Sequence, residues 1–262
     1  EGTADGGLLV VFSKQIIRWK ATGESESLLE LVPDSDVTSQ ITSVTESETG
    51  TVYFTAIVGT IAPNIAQRPS AQKPQGAFPQ TAAVSLPSTG LYRLSVGSTT
   101  PELMSADLDG PNSVVADPLG GVFVLNGWGG SIWKFDEAGH GQMLIDLFAP
   151  GGLGFGAVGI IFDKTKDRLL ISTSFQVMVA QRDGSLSPTP LISIEPDHVL
   201  VWRGVAVHPD GDLWGIEDTP DRGLILNQWN EKGDLLTTRV FSPRRRDGQI
   251  AFDATGHLFA MY

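Results

Sequence analysis

Three polar residues stand at the beginning of short apolar segments that have the composition of β-strands. They are Asn112, Arg203 and Asp247. If these strand starts meet at one end of the molecule, they place a carboxamide, a guanidinium and a carboxylate around one opening. A guanidinium can stabilise developing charge there, while the walls hold reacting groups in an attack geometry. The sequence therefore predicts catalysis by positioning and polarisation, with Asn112, Arg203 and Asp247 as the catalytic residues.

Further side chains at strand ends and loops are the predicted contacts to a substrate. Trp128 lies in the loop Asn126-Gly127-Trp128-Gly129-Gly130, and Trp202 precedes Arg203. Such aromatic side chains can pack against a flat or apolar organic molecule. The predicted substrate-binding residues are Trp128, Trp202, Asn126, Phe78, Gln40, Phe155 and Glu217.

The residue patterns of several other catalytic classes are missing from the sequence. There is no cysteine, which excludes thiol nucleophiles, thiolate metal sites and disulfides. No serine lies in a Gly-x-Ser-x-Gly motif, and no two histidines have the spacing of metal ligands. The segment Gly154 to Gly159 matches Gly-x-Gly-x-x-Gly, but it leads into a predicted strand, whereas a dinucleotide site needs a helix there.

Composition narrows the range of partners. The chain has 262 residues, 41% of them hydrophobic, and a formal net charge of −12. The negative charge argues against nucleic acid, and no apolar run has the length of a membrane span. The predicted partner is a small organic molecule, and the oligomeric state stays open. The compartment of the protein also stays open. It could be secreted if a signal peptide was cleaved before Glu1, and the cytoplasm is the alternative.

A strand–turn–strand unit repeats along the chain. A short apolar strand leads into Asp-x-x-Gly or a variant, and a second apolar strand follows. The turns begin at Asp117, Asp163, His208 and Asp253, which are 46, 45 and 45 residues apart. Two more short strands fit in each period, and four antiparallel strands in about 40–45 residues are typical of a propeller blade. The turn aspartates are interpreted as structural, because a short polar side chain can bond its own backbone.

The predicted fold is therefore all-β: one β-propeller domain over residues 1–262, built from four-stranded antiparallel blades. The motif count favours five blades, with six as the alternative if the end blades are incomplete. The N- and C-terminal strands are predicted to pair and close the ring. A proline-rich insertion at about 58–89 is predicted to be either an ordered lid or disordered.

Strand order decides which loops share a face. The end of the ring at which the first strand of each blade begins is here called the top face. The insertion lies there, with Phe78 as the large apolar residue that could cap the channel. His198 is also predicted near the top face, where a loop histidine is interpreted as a bystander. The Asp-x-x-Gly turns lie at the opposite end.

The repeats resemble a known propeller family. The segment Gly110-Pro111-Asn112-Ser113-Val114-Val115-Ala116-Asp117 resembles the family of senescence marker protein, gluconolactonase and luciferin-regenerating enzyme. Gly90-Leu91-Tyr92-Arg93-Leu94, after the proline-rich loop, is similar to fungal members that act in natural-product biosynthesis. The resemblance covers most of the chain at the level of pattern.

The family's hydrolases hold one divalent cation with a Glu, two Asn and an Asp at the starts of first strands. Mapped onto this sequence, Asn112 matches one Asn, while the second Asn position is Val158 and the Asp position is Arg203. Gln40 stands nearest the Glu position, and Asp247 is a carboxylate at an equivalent strand start in another blade. The resemblance therefore implies a weakened cation site.

Three functions stay open at this stage. The favoured one is metal-free cyclisation or cycloaddition of a natural-product intermediate, including hetero-Diels–Alder chemistry, as implied by the fungal resemblance. A lactonase or esterase dependent on Ca²⁺ or another divalent cation is the second, and a non-catalytic binding propeller is the third. No cofactor is favoured.

Overall fold

The structure is a computed structural model. It describes residues 3, 7–12, 14–20, 22–32, 37–60, 83–127, 130–150, 152–153, 156–195, 197–242, 249–253 and 255–261. For 37–38, 60, 201–203, 241–242, 249 and 260–261 the description covers the backbone alone.

The described chain is built from β-strands and turns, in agreement with the predicted all-β class. None of the described segments is a helix that could cross a membrane. The strands are β1 Leu8–Phe12, β2 Gln15–Trp19, β3 Ser25–Glu30, β4 Val37–Glu46, β5 Val52–Thr60, β6 Gly90–Leu94, β7 Glu102–Ser105, β8 Ser113–Ala116, β9 Val122–Asn126, β10 Ser131–Phe135, β11 Gly141–Asp146, β12 Gly159–Asp163, β13 Arg168–Ser172, β14 Gln176–Ala180, β15 Ile192–Ser193, β16 Val199–Val207, β17 Leu213–Thr219, β18 Gly223–Trp229, β19 Leu235–Ser242, β20 Gln249–Phe252 and β21 Leu258–Met261.

Successive strands pair antiparallel into small sheets arranged as propeller blades. Four sheets have four strands each: β4–β7, β8–β11, β12–β15 and β16–β19. With the three-stranded sheet β1–β3 they make five blades, as the motif count predicts. The hairpin β20–β21 is a further, two-stranded sheet. It corresponds to the incomplete end blade expected in the six-bladed alternative. The predicted pairing of N- and C-terminal strands is not among the strand pairs of the described residues.

The hydrophobic core lies between the faces of neighbouring sheets. One cluster joins Phe123 and Leu125 of β9 to Ile160 and Leu169 of the next sheet, and equivalent clusters fill the other described gaps. Sheets with both faces covered need apolar residues at nearly every position, and all five residues of β9 are buried accordingly. This packing fixes the first strand of each blade around a central channel.

The turns between first and second strands are stabilised as the sequence predicts. Asp163 accepts hydrogen bonds at Oδ1 from the backbone N–H and hydroxyl of Thr165, at 3.1 and 2.7 Å. Its Oδ2 accepts one from Arg168 Nε at 2.9 Å. Asp117 and Asp253 bond the backbone two residues ahead in the same way. These aspartates are structural.

Buried hydroxyl groups join one blade to the next along the channel. The Oγ atom of Ser43 accepts from Val114 N–H at 3.2 Å, and Oγ1 of Thr45 accepts from Ala116 N–H at 3.0 Å. Ser113 repeats the contact toward Ile160 in the following blade, at 3.4 Å. The first strand of a blade is an edge strand, so its outward N–H groups need partners. The preceding blade supplies them.

Replacing Thr45 with valine tests this coupling. The substitution keeps the side-chain shape but removes the acceptor for Ala116 N–H, and Thr45 is fully buried. We expect the free energy of unfolding to fall by about 2 kcal/mol, the cost of an unpaired buried donor. Denaturant unfolding measures it. Thr99→Val at an exposed position is the control, and equal stabilities for the two variants would contradict the coupling.

Candidate functional site

A cavity of about 570 Å³ occupies the central channel. Its lining includes Ser113 and Gly159, the first residues of β8 and β12, and reaches the turn residues Lys164, His208 and Asp253 at the opposite end. First strands from all six sheets contribute to its wall. Ligand pockets for drug-sized molecules have volumes of about 300–1,000 Å³, so the channel can take an organic molecule of that class.

The wall is apolar with a few small hydroxyl groups. Its apolar side chains come from every blade and include Val44, Val115, Ile160, Val205 and Ile250. Ser172 also lines the cavity, and its Oγ donates to the carbonyl of Gly159 at 3.2 Å. Such a wall favours an uncharged ligand, because a charge placed against it would lose its hydration without gaining a partner.

Charged residues are confined to the turn end of the cavity, where each described one is already engaged. Glu46 is buried and forms an ion pair with Arg18. Burial would raise the pKa of Asp253, but hydrogen bonds from Thr255 and His257 outweigh it and hold that pKa well below its ordinary value. The turn end is therefore a structural rim.

Asn112 and Asn126 lie side by side at the top of one blade. Asn112 precedes β8, is 5% exposed, and donates its backbone N–H to the carbonyl of Leu125 at 3.0 Å. Asn126 ends β9 and is 7% exposed, and its Oδ1 has no hydrogen-bond partner among the described residues. Gln40 is exposed on β4, opposite Ile57, in the neighbouring blade. Asn112 and Asn126 are thus neighbours at the top-face end of their blade, but neither is among the described residues that line the cavity, and their roles stay predictions.

Glu217 occupies a second polar site at the top face, near the end of β17. It is 3% exposed, and both carboxylate oxygens are used. Oε1 accepts from Asn227 Nδ2 at 2.6 Å, and Oε2 contacts His198 Nδ1 at 2.9 Å. Thr238 donates its hydroxyl to Asn227 Oδ1 at 2.6 Å. Side chains from β17, β18 and β19 therefore form one hydrogen-bonded chain that ends on Nδ1 of His198.

Several predicted residues fall outside what the structure describes. Asp247, Trp128, Phe155 and Phe78 lie outside the described residues, as does most of the predicted lid. Trp202 and Arg203 belong to β16, but their side chains are not described.

Sequence reasoning missed His198 as a site residue. Its one local signal is position: it directly precedes β16, the channel-lining strand of its blade, as Asn112 directly precedes β8. Its partner Glu217 is 19 residues away, and nothing in the local pattern pairs the two. Sequence reasoning also missed the hydroxyl groups of Ser43 and Ser172 in the channel, because no local pattern marks them as lining it.

Solved structures share the architecture. A gluconolactonase from Xanthomonas campestris is 15% identical, with a TM-score of 0.64 over 98% of this chain and 80% of its own. A catalytically inactive variant of virginiamycin B lyase from Staphylococcus aureus, in a structure with quinupristin, is 15% identical, with a TM-score of 0.61 over 96% of this chain and 72% of its own. TolB from Acinetobacter baumannii is 11% identical, with a TM-score of 0.60 over 97% of this chain and 57% of its own.

The chain has the gluconolactonase-like β-propeller fold. Identities this low show the fold alone. No family model matches the chain, and no curated protein matches it either. The fungal link implied by Gly90 to Leu94 stays a prediction.

The cation site implied by the family resemblance can be tested against the residues of this propeller. Hard cations such as Ca²⁺ need six to eight oxygen ligands. Asn112 offers one carboxamide, but Val158 offers no side-chain ligand and Gln40 is exposed. The described residues at these strand starts do not make the implied ligand set.

Proposed function

We propose that the chain is an enzyme that acts on a small, largely apolar organic molecule at the top of the propeller channel. The observation that carries the proposal is the 570 Å³ channel cavity with its apolar wall. A preformed concave pocket of this size is the usual location of a small-molecule site. The buried residues Asn112 and Asn126, at the top-face end of the β8–β11 blade, are the polar residues proposed to orient the part of a ligand that extends above the cavity.

The reaction class that suits this wall is an intramolecular one, cyclisation or cycloaddition of an organic intermediate. Such reactions need reacting groups held close together and polarised, and they need no enzyme nucleophile. The described wall contains apolar side chains and serine hydroxyls that already bond the backbone. Arg203 and Asp247 remain the proposed sources of charge stabilisation. The proposed reaction uses no metal or other cofactor.

Lactone hydrolysis is the alternative that the gluconolactonase similarity raises, and ligand binding without chemistry is the third. These functions differ in the mass of the product. Cyclisation and cycloaddition within one molecule conserve mass, hydrolysis adds one water, and binding leaves the ligand unchanged.

The test incubates the purified protein with panels of polyene and aromatic metabolites and of lactones, followed by chromatography and mass spectrometry. We expect a new product of unchanged mass from an apolar substrate. Val115→Trp, which fills the channel, should abolish it, whereas Leu119→Trp, at a position 79% exposed, should not. Ala206→Phe is the second blocking variant if Val115→Trp does not fold.

Each other result counts against the proposal. A product heavier by one water that requires added cation would establish the hydrolase. Saturable binding with no product from either panel would establish a binding propeller. Turnover that survives both folded blocking variants would place the site away from the channel.

A further inference from the structure

One histidine of this chain is held by a buried carboxylate that belongs to a different part of the blade. His198 precedes β16, and its Nδ1 lies 2.9 Å from Oε2 of Glu217 on β17. The Glu217 side chain is 4% exposed and the His198 side chain 17% exposed. The carboxylate is thus shielded from water while the outer edge of the imidazole remains reachable.

The other three histidines make a different kind of contact. His140 contacts Asp136 at 3.0 Å, His208 contacts Asp210 at 2.6 Å, and His257 contacts Asp253 at 3.0 Å. Each of these pairs lies within one turn, with the partners two or four residues apart. They are local turn contacts, whereas the His198–Glu217 pair joins two elements.

The geometry fixes which nitrogen of His198 is available. An ionised carboxylate can only accept, so Nδ1 of the neutral ring carries the proton that is donated to Glu217. The lone pair is then on Nε2, on the far side of the ring. Oδ1 of Asp197 lies 3.9 Å from Nε2, which is beyond hydrogen-bond distance. Glu195, Asp197 and His198 have possible ligand atoms within 4.8 Å of one another, so the same group could instead hold a metal ion.

We propose that His198 is a general base of the enzyme, and that Glu217 and Asn227 are its positioning residues. This inference rests on the proposed function. A carboxylate bonded to one nitrogen of a histidine fixes the ring and stabilises the imidazolium that forms when the other nitrogen takes a proton. Asn227 bonds the Glu217 carboxylate, and Thr238 bonds Asn227. These contacts hold the carboxylate in position, as a catalytic base requires of the residues that support it.

The position of His198 relative to the channel follows from strand β16. Val205 to Val207 of β16 line the channel. The strand begins at Val199, and its register against β17 shifts between Leu200 and Val205. His198 therefore lies beyond the channel-lining part of β16, at the same end of the ring as Asn112. His198 is not among the described residues that line the cavity, so the proposed role requires a substrate that extends above Val205 toward the top face.

The step is a proton transfer. Nε2 takes a proton from an acidic C–H or O–H of the substrate, and the electron pair of that bond stays on the substrate. That pair forms the new bond of a closing ring by adding to an electron-poor double bond of the same molecule, whose π bond breaks. The atom at the far end of that double bond takes the proton back from the imidazolium, so the mass of the molecule is unchanged. No oxidant or other reactant is needed.

The first test reads the tautomer of His198 and needs no substrate. Nitrogen-15 NMR of imidazole-labelled protein should show His198 with its proton on Nδ1 at neutral pH. Glu217→Gln should shift the proton toward Nε2 or leave a mixture, because a carboxamide can donate as well as accept. A wild-type ring with its proton on Nε2, or one unchanged by Glu217→Gln, would overturn the proposal.

The second test uses 5-nitrobenzisoxazole, a small apolar probe that reports a general base. A base takes its C3 proton, the ring N–O bond breaks, and a coloured cyanophenolate forms. The wild type should accelerate this reaction, and His198→Ala should lower the rate constant at least tenfold, since general bases contribute about 10²–10⁴-fold. His140→Ala is the matched control, with a histidine–aspartate contact in an exposed turn.

A structural role for His198 predicts a different pattern. If the pair only pins the start of β16, His198→Gln would keep a side chain able to bond Glu217 and would keep the probe reaction. Equal probe rates in wild type and His198→Gln, no acceleration by the wild type, or stoichiometric binding of Zn²⁺ or Mn²⁺ that is lost in His198→Ala would each overturn the proposal.

Failure of this inference can be told apart from failure of the proposed function. Binding of the apolar dye Nile red reports the channel and should be lost in Val115→Trp but kept in His198→Ala. If dye binding behaves in this way while the tautomer or the probe reaction does not, the channel site stands and His198 is not its base. If the wild type does not bind the dye, the channel site itself fails.

Discussion

Replacing Asp117 with asparagine should lower the free energy of unfolding by about 3–5 kcal/mol, the usual cost of removing one partner of a buried ion pair. The Asp117 side chain is fully buried and forms ion pairs with Arg182 and, at 3.0 Å, with Lys134. Its partners come from two different blades, so the charge links blades as well as closing its own turn. For a domain of this size we expect a fall in Tm of about 10 °C or more.

The loss should depend on pH. Burial would raise the pKa of Asp117, but its hydrogen bond from Arg182, with those from Leu119 and Lys134, outweighs burial and lowers that pKa below its ordinary value. A carboxyl group whose pKa is lower in the folded state stabilises the fold above its unfolded pKa of about 3.9. That stabilisation is lost as the pH falls through the folded value. The stability difference between wild type and Asp117→Asn should therefore be full above about pH 5 and shrink below about pH 4.

Denaturant unfolding of both proteins at pH 7, 5 and 3 measures this difference. Asp183→Asn is the matched control, because Asp183 also accepts from a backbone N–H two residues ahead but lies in an exposed turn. It should unfold close to the wild type at every pH. A gap for Asp117→Asn that is the same at pH 3 and pH 7 would show that the charge of Asp117 does not stabilise the fold.

Replacing Gly233 with alanine should lower the free energy of unfolding by about 4 kcal/mol, from a left-handed backbone and a steric overlap together. Gly233 has a φ of +86°, in the turn between β18 and β19. A Cβ atom there would lie 1.9 Å from the backbone oxygen of Leu191 in the neighbouring blade. A backbone oxygen cannot swing aside as a side chain can, so two blades would have to separate.

Gly23→Ala separates the two contributions. Gly23 has a φ of +87°, and apart from its two chain neighbours no described residue has an atom within 4 Å of the position that a Cβ would take. The conformational cost alone should then appear, at about 1 kcal/mol. Unfolding of both variants in guanidinium measures the difference. Equal losses for the two would mean that Leu191 does not constrain the turn.

The propeller fold follows from local patterns. Strand–turn–strand units recur every 45 or 46 residues, and each turn aspartate bonds backbone atoms within four residues of itself. Interactions between residues so close in the chain can be recognised from the local sequence. The turn positions, the strand pairs and the place of Asn112 at the start of β8 could therefore be predicted from sequence alone.

The candidate base and the blade contacts were decided by the tertiary structure. Glu217 meets His198 because β16 pairs with β17 through a register shift, which no alternation of apolar and polar residues encodes. Thr45 meets Ala116 across 71 residues because two sheets pack face to face. Which polar groups pair depends on how the blades pack against each other around the channel. A local pattern shows that a side chain must be buried, but its partner is chosen by packing between segments that are distant in sequence.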